Sequence, residues 1–267
     1  MLTIVKVSKG RGNYYNIEVS NGEKVRVSED TLIDFRLLKD QEIDQETLTE
    51  IKNASRQDIG FQLALNYLSY QLRTEMEIRK YLKDNEIPKE DRHLIVQRLV
   101  EMNLLDDENF AESYVRTQMR LGDKGPKILA QKLKQKGISN QLVETTLAKI
   151  SLSDQQDLAL QVANKALKKY RGKSSRETTT KIFQYLLQKG FSGDVIDFAI
   201  AELDFSDVIE QESEALINQG EKLWRSNQRF ELSKRKQKVK QSLYQKGFQL
   251  DQIDTFIREK EDAETSE

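Results

Sequence analysis

Apolar residues fall three or four positions apart over most of this chain, in short runs that each stop at a glycine or a polar turn and then resume. That spacing lines one face of a helix and leaves the other face polar. Leu129 and Leu133, Ile182 and Leu186, and Val239 and Leu243 mark three such helices. Each is followed by nearly the same four residues: Gln135-Lys136-Gly137-Ile138, Gln188-Lys189-Gly190-Phe191 and Gln245-Lys246-Gly247-Phe248. The glycine predicts a left-handed residue that closes the helix, and the lysine before it suits the negative end of the helix dipole. A second amphipathic run follows each stop, as in Leu142, Val143, Thr146 and Leu147, or Val195, Ile196, Ala199 and Ile200, or Ile253, Phe256 and Ile257.

The copies lie about 53 and 57 residues apart, a period that points to stacked units of several helices. An offset of about 57 lays Leu160 on Ile217, Lys165 on Lys222, Ala166 on Leu223 and Leu167 on Trp224, which predicts a third helix ahead of each pair. A more diverged copy ends at Leu82-Lys83-Asp84-Asn85-Glu86-Ile87, with Glu86 in the glycine position, so Pro88 is expected to stop that helix instead. Capping-box spacing at Thr74 to Glu77 and at Ser174 to Glu177, and Gly125-Pro126, mark helix starts. Asp106-Asp107 opens the helix of Phe110, Ala111, Tyr114 and Val115.

The first fifty or so residues follow another rhythm. Leu2 to Val7, Tyr14 to Val19 and Lys24 to Val27 alternate with period two and are rich in β-branched and aromatic residues. Asn21-Gly22 predicts a tight hairpin turn of the primed type. Ser28 and Asp44 are positioned to cap helices that would cover one face of the three-stranded sheet. The expected fold is mainly α: an elongated, curved array of tandem three-helix repeats with a small N-terminal antiparallel β-containing domain. Its divisions are 1–57 for that domain, then repeats at 58–104, 105–151, 152–204 and 205–260, and an acidic tail at 261–267.

Composition changes this picture little, but charge adds to it. With 37% hydrophobic and 33% charged residues, the chain suits a series of buried seams better than one large core. The absence of cysteine, of a signal peptide and of any apolar run near 20 residues gives the expectation of a soluble, cytoplasmic protein without a membrane partner. The net charge of −1 conceals segregation. Arg116, Arg120, Lys124, Lys127, Lys132, Lys134 and Lys136 crowd the second repeat; Lys168, Lys169, Arg171 and Lys173 the third; Lys234, Arg235, Lys236 and Lys238 the fourth. These clusters sit near the junction of first and second helices, so stacking is expected to place them along one edge, where they would attract a polyanion. A solvated helix face is the plainer reading of the same charges.

Catalytic chemistry has little to work with. His93 is the only histidine and sits in the amphipathic run of Leu94, Ile95 and Leu99. Without a second histidine or any cysteine, nucleophilic triads and most transition-metal sites cannot be assembled. Asp106-Asp107-Glu108 lacks the spaced ligands of a calcium loop, and Gly10-Arg11-Gly12 lacks the lysine and strand-to-helix context of a phosphate loop. The reading is of a non-enzyme with no cofactor, no metal and no small-molecule substrate.

Residues 58 to 150 also resemble the RecX family. The resemblance rests on Ala64 to Leu68, Arg73 to Ile78, Leu82, Leu99, Leu105-Asp106-Asp107, Phe110-Ala111, Gly125-Pro126, Ile128, Leu133 and Lys136-Gly137-Ile138. The repeats extend it to about residue 260, and the β-rich leader is similar to that of longer members. It implies a regulatory protein that binds RecA, inhibits its strand exchange and ATP hydrolysis, and lies in the groove of its filament on single-stranded DNA. Asp106, Asp107, Phe110, Ala111, Gly137, Gly190 and Gly247 are its signature positions, with structural roles. Two other readings stand beside it: a stand-alone single-stranded nucleic-acid binder, which would use the same lysines in direct contact with DNA, and a helical protein-interaction adaptor, which would bind peptides in a concave groove but whose usual period of about 34 residues is shorter than the spacings here.

Overall fold

The period-two leader folds as expected, with one strand more. In the computed structural model, which describes residues 1–265, β1 (Leu2–Lys9), β2 (Tyr14–Val19), β3 (Lys24–Ser28) and β4 (Glu42–Ile43) form an antiparallel sheet in the order β3-β2-β1-β4. Pairing of Ile17 with Val25 and of Ile4 with Val19 puts these four side chains on the covered face. The turn differs from expectation: of its residues only Gly22 has positive φ, and Gly22 N donates to Val19 O at 2.8 Å. It is a turn of ordinary hand followed by a left-handed glycine, which fits a longer hairpin loop.

Ser28 caps the short α1 (Glu29–Asp34), its Oγ accepting from Thr31 N at 3.0 Å. Asp44 caps α2 (Gln45–Leu68) in the same way, at 2.7 Å from Thr47 N. The first half of α2 lays Leu48 and Ile51 on the sheet, and Ser55 Oγ donates to Arg26 O at 2.7 Å. Its second half puts Phe61 and Ala64 into the next core. The division drawn at residue 57 therefore falls inside one continuous helix.

The remaining elements are α3 (Glu75–Asp84), α4 (Lys89–Glu101), α5 (Asp107–Leu121), α6 (Pro126–Gln135), α7 (Asn140–Ala148), α8 (Leu152–Lys169), α9 (Ser175–Lys189), α10 (Gly193–Ala201), α11 (Ser206–Glu210), α12 (Glu212–Ser226), α13 (Leu232–Gln245) and α14 (Leu250–Thr265). Together with the second half of α2 they make four three-helix repeats among the described residues, the fourth with the extra turn α11. The chain divides into two compact units: residues 1–113 with 133–143, and residues 114–132 with everything from 144. In the first unit Phe61, Ala64, Ile78, Leu82, Ile95 and Leu99 from α2, α3 and α4 share one core. In the second, α8, α9 and α10 enclose Val162, Ile182, Leu186 and Ile196, and α12, α13 and α14 enclose Trp224, Val239, Leu243 and Ile253. The expected acidic tail is helix as far as Thr265; its last two residues lie outside those described. No helix among the described residues is long and apolar enough to cross a membrane.

Glu86 overturns one expectation. It takes φ +63° itself, and Ile87 N reaches back to Leu82 O at 3.0 Å. The glycine-bearing copies close identically, with Ile138 N to Leu133 O at 3.1 Å, Phe191 N to Leu186 O at 3.2 Å and Phe248 N to Leu243 O at 3.3 Å. Pro88 instead stands at the N-cap of α4. A side chain in the left-handed region costs about 1–2 kcal/mol, part of which a glycine returns as extra chain entropy lost on folding, about 0.5–1 kcal/mol. Glu86→Gly is thus expected to stabilise the protein by roughly 0.5 kcal/mol, read from urea unfolding; a destabilised variant would contradict the strain.

Candidate nucleoprotein-binding surface and the seams between repeats

The recurring glycines do more than end helices. Each comes against the start of the second helix of the preceding repeat, a site that a side chain would fill. A Cβ on Gly190 would lie 2.7 Å from Ile128 N, one on Gly247 would lie 2.7 Å from Arg176 Cβ, and one on Gly137 would collide with Met76. Hydrogen bonds close the same seam. Thr74 Oγ1 donates to Lys136 O at 2.7 Å, Gly125 N donates to Lys189 O at 2.8 Å, and Ser174 Oγ donates to Lys246 O. One residue thus begins a helix in one repeat and grips the helix end of the next. The first repeat has no predecessor, so Glu86 meets no such wall and glycine is not required there.

The lysines of the first two tetrads span the seam with their side chains as well, whereas that of the third bonds within its own repeat. Lys136 Nζ lies 2.7 Å from Glu77 Oε1, the glutamate of the Thr74 capping box, and 5.1 Å from the centre of the Phe110 ring. Lys189 pairs with Asp123, and Lys246 Nζ donates to Gln219 Oε1 at 2.7 Å. The hydrogen bond from Lys189 holds the Asp123 carboxyl below the usual carboxylate range, against the opposing pull of burial. The same bond raises the Lys189 ammonium above the usual lysine range. Stability from Asp123 is present above its unfolded pKa, about 3.9, and is lost as pH falls through the lowered folded value. Stability from Lys189 is present below about 10.4 and is lost as pH rises through the raised one. Consequently the difference in melting temperature between the native chain and Asp123→Asn should shrink as pH drops from about 6 to about 3. A constant difference over that range would remove the ion pair from the account.

Signature residues have packing and capping roles. Asp106 Oδ1 accepts from Glu108 N at 2.8 Å and Asn109 N at 3.0 Å, so it caps α5. Asp107 was expected to share that task, but its Oδ1 accepts from Glu75 N at 2.9 Å and caps the neighbouring α3. Burial pushes its carboxyl upward, with Glu75, Asp106 and Glu77 adding to the rise. Phe110 and Ala111 are buried.

The basic candidates divide in two. Lys136 and Lys124 are half-buried, with Lys124 3.3 Å from Asp123. Lys173 lies 2.7 Å from Glu177, and Arg171 lies 3.7 Å from Asp207. Arg235 is buried, its two terminal nitrogens 2.9 and 2.8 Å from the carboxylate of Glu264, which also accepts from Trp224 Nε1 at 2.8 Å. Lys236 meets Glu261 at 2.7 Å, so α14 neutralises one side of α13. By contrast, Arg120, Lys127, Lys134, Lys168 and Lys169 are exposed and, among the described residues, have no carboxylate partner. Arg116 and Lys132 are exposed as well.

Within the second unit some of these converge. Lys168, Arg171 and Lys173 line one polar cleft with Asp204 and Asp207. Lys169 lies 5.5 Å from the centres of the Tyr170 and Tyr185 rings. Lys234 and Lys238 converge on Phe230, at 5.5 and 4.8 Å, and Arg229 joins them at 5.0 Å. Phe230 and Arg229 were missed in the sequence, where an aromatic beside Arg229 and ahead of the α13 lysines was the available signal.

Models of known protein domains match the chain in four successive stretches. Models of the RecX first, second and third three-helix domains match residues 61–99, 106–147 and 153–200, and the third matches again at 210–257. The chain belongs to the RecX family. Regulatory protein RecX of Enterococcus faecalis is 53% identical over 261 residues, covering 98% of each chain. Its counterpart in Levilactobacillus brevis is 37% identical, covering 96% of each. Among solved structures, a crystal structure of regulatory protein RecX aligns with TM-score 0.65 and 36% identity, over 76% of this chain and 100% of that one. RecX from Lactobacillus salivarius aligns at 0.54 and 41%, over 57% and 99%. The double match of the third RecX domain accords with the fourth repeat being a copy of the third.

Proposed function

We propose that this protein regulates RecA by binding RecA and its filaments on single-stranded DNA, without catalysis, and that binding inhibits the recombinase and its ATP hydrolysis. The observation that carries the reading is the division of the cations. One set is tied to carboxylates at seams and between α13 and α14; another stands exposed without such partners in successive repeats. Arg120, Lys127, Lys134, Lys168 and Lys169 are the contacts proposed, because unpaired cations can neutralise phosphate without first breaking an ion pair. Lys136 and Arg235 are left out, since changing them would disturb the fold.

Reversing Lys127, Lys134, Lys168 and Lys169 to glutamate together should weaken binding to RecA–DNA filaments by a factor of about 100 or more at moderate salt, while the helical circular dichroism stays native. Full inhibition of RecA by the folded variant would sink the assignment. The ring of Arg229, Lys234 and Lys238 around Phe230 favours a second reading, in which bare single strands are bound through phosphates and a stacked base. That reading requires equal affinity for a naked oligonucleotide and for the filament, so measuring both separates the two.

A further inference from the structure

Every seam has two halves: the start of the second helix in one repeat and the end of the second helix in the next. The repeats form one series, so a single half is left over in the first repeat and another in the fourth. The first is the helix end at Glu86, and the other is the helix start at Glu231, the N-cap of α13. Glu231 precedes Gly247 by as many residues as Ser174 precedes Gly190, so it stands where Thr74, Gly125 and Ser174 stand in the other repeats. Both glutamates are exposed. Joined, the two leftover halves would link one copy of the chain to the next in a heterologous contact that need not close.

Both halves carry a charged side chain where the completed seams carry a small neutral residue. On the entering side, a Cβ on Gly137, Gly190 or Gly247 would lie 2.4, 2.7 or 2.7 Å from the facing helix start. Glu86 holds the same left-handed backbone at φ +63° but bears the side chain that those seams have no room for. On the receiving side, Thr74, Gly125 and Ser174 each donate a hydrogen bond to a carbonyl of the incoming helix end. An ionised carboxylate has no proton to donate, and Glu231 would face the negative end of that helix. It does not cap its own helix either.

The two positions also meet one another across a seam. A Cβ on Gly247 would lie 2.9 Å from Ser174 Oγ, and one on Gly125 would lie 2.6 Å from Gly190 O. A joint between copies would therefore press Glu86 against Glu231, like charge against like charge. Asn85 also replaces the seam lysine, but an exposed ion pair is worth little, so the glutamates decide.

We propose that Glu86 and Glu231 are stops that prevent the repeat series from continuing into a second copy of the chain. The inference is independent of the proposed RecA contact, because neither residue belongs to that set.

Sedimentation velocity of the full-length protein over a wide range of concentration tests it. The native chain and each single variant, Glu86→Gly or Glu231→Ser, are expected to stay monomeric. The double variant should associate at least about tenfold more tightly than the native chain and grow into a ladder of oligomers, since each molecule then offers both halves of an open joint. A mixture of the two single variants contains one fully opened joint per pair and should stop at a dimer. Serine is a preferred N-cap and glycine a preferred left-handed residue, so helical circular dichroism should remain native in all of them. A folded double variant that remains monomeric, a native chain that associates as tightly, or a mixture that grows beyond a dimer overturns the proposal.

Discussion

Gly190→Ala should lower the free energy of unfolding by about 3 kcal/mol, the sum of a left-handed penalty of about 1–2 kcal/mol and an overpacking cost of similar size. Both costs arise at one atom. Gly190 has φ +90°, and its missing Cβ would sit 2.7 Å from Ile128 N and 2.7 Å from Ile128 Cγ1. The backbone cannot retreat easily, because Lys127 N donates to Gly190 O at 3.2 Å and Gly125 N to Lys189 O at 2.8 Å. Gly172 is the control. It has φ +77° with nothing within 4 Å of an added Cβ, so Gly172→Ala carries the conformational cost alone, about 1 kcal/mol. Urea unfolding of both variants separates the two contributions, and equal losses would mean that the seam is loose.

Glu264→Ala should destabilise by about 2–3 kcal/mol, because it strands a buried guanidinium and the indole N–H of Trp224 together. The full cost of breaking a buried pair, about 3–5 kcal/mol, is discounted since the Glu264 side chain is 37% exposed. Trp224 is the only tryptophan, so its fluorescence reports the change without labelling. Adding Arg235→Met to Glu264→Ala should recover much of the loss, as an apolar chain replaces an unpaired charge at the position that Thr178 fills in the third repeat. If the double variant is as unstable as Glu264→Ala, the cost lies with Trp224 or with packing of α14.

The repeat was legible because its signals are local. Apolar spacing, the caps at Ser28, Asp44, Thr74 and Ser174, and three glycine stops each involve residues within a turn or two of one another. What escaped notice were links over longer distances. Lys136 and Arg235 read as surface cations because Glu77 lies 59 residues from the first and Glu264 lies 29 from the second. No pattern of neighbours marks those pairings. Asp107 misled for the same reason: its residue type predicts capping, but not of which helix. At Glu86 residue preference pointed one way while the hydrogen bond from Ile87 to Leu82 required the other, and closure of the helix prevailed. The basic surface was legible as composition, whereas the separation of paired from unpaired lysines needed coordinates.

The seams also bear on how the chain comes to be folded during synthesis. Their side-chain bonds join residues 62, 66 and 72 positions apart, and every one links a repeat to its immediate successor. A nascent chain leaving the ribosome therefore never waits for a distant partner. Each repeat can lock as soon as the next helix stop has been translated, and the loop to be closed hardly grows from the first seam to the last. Such a chain can be lengthened by duplicating its final repeat without slowing any earlier step.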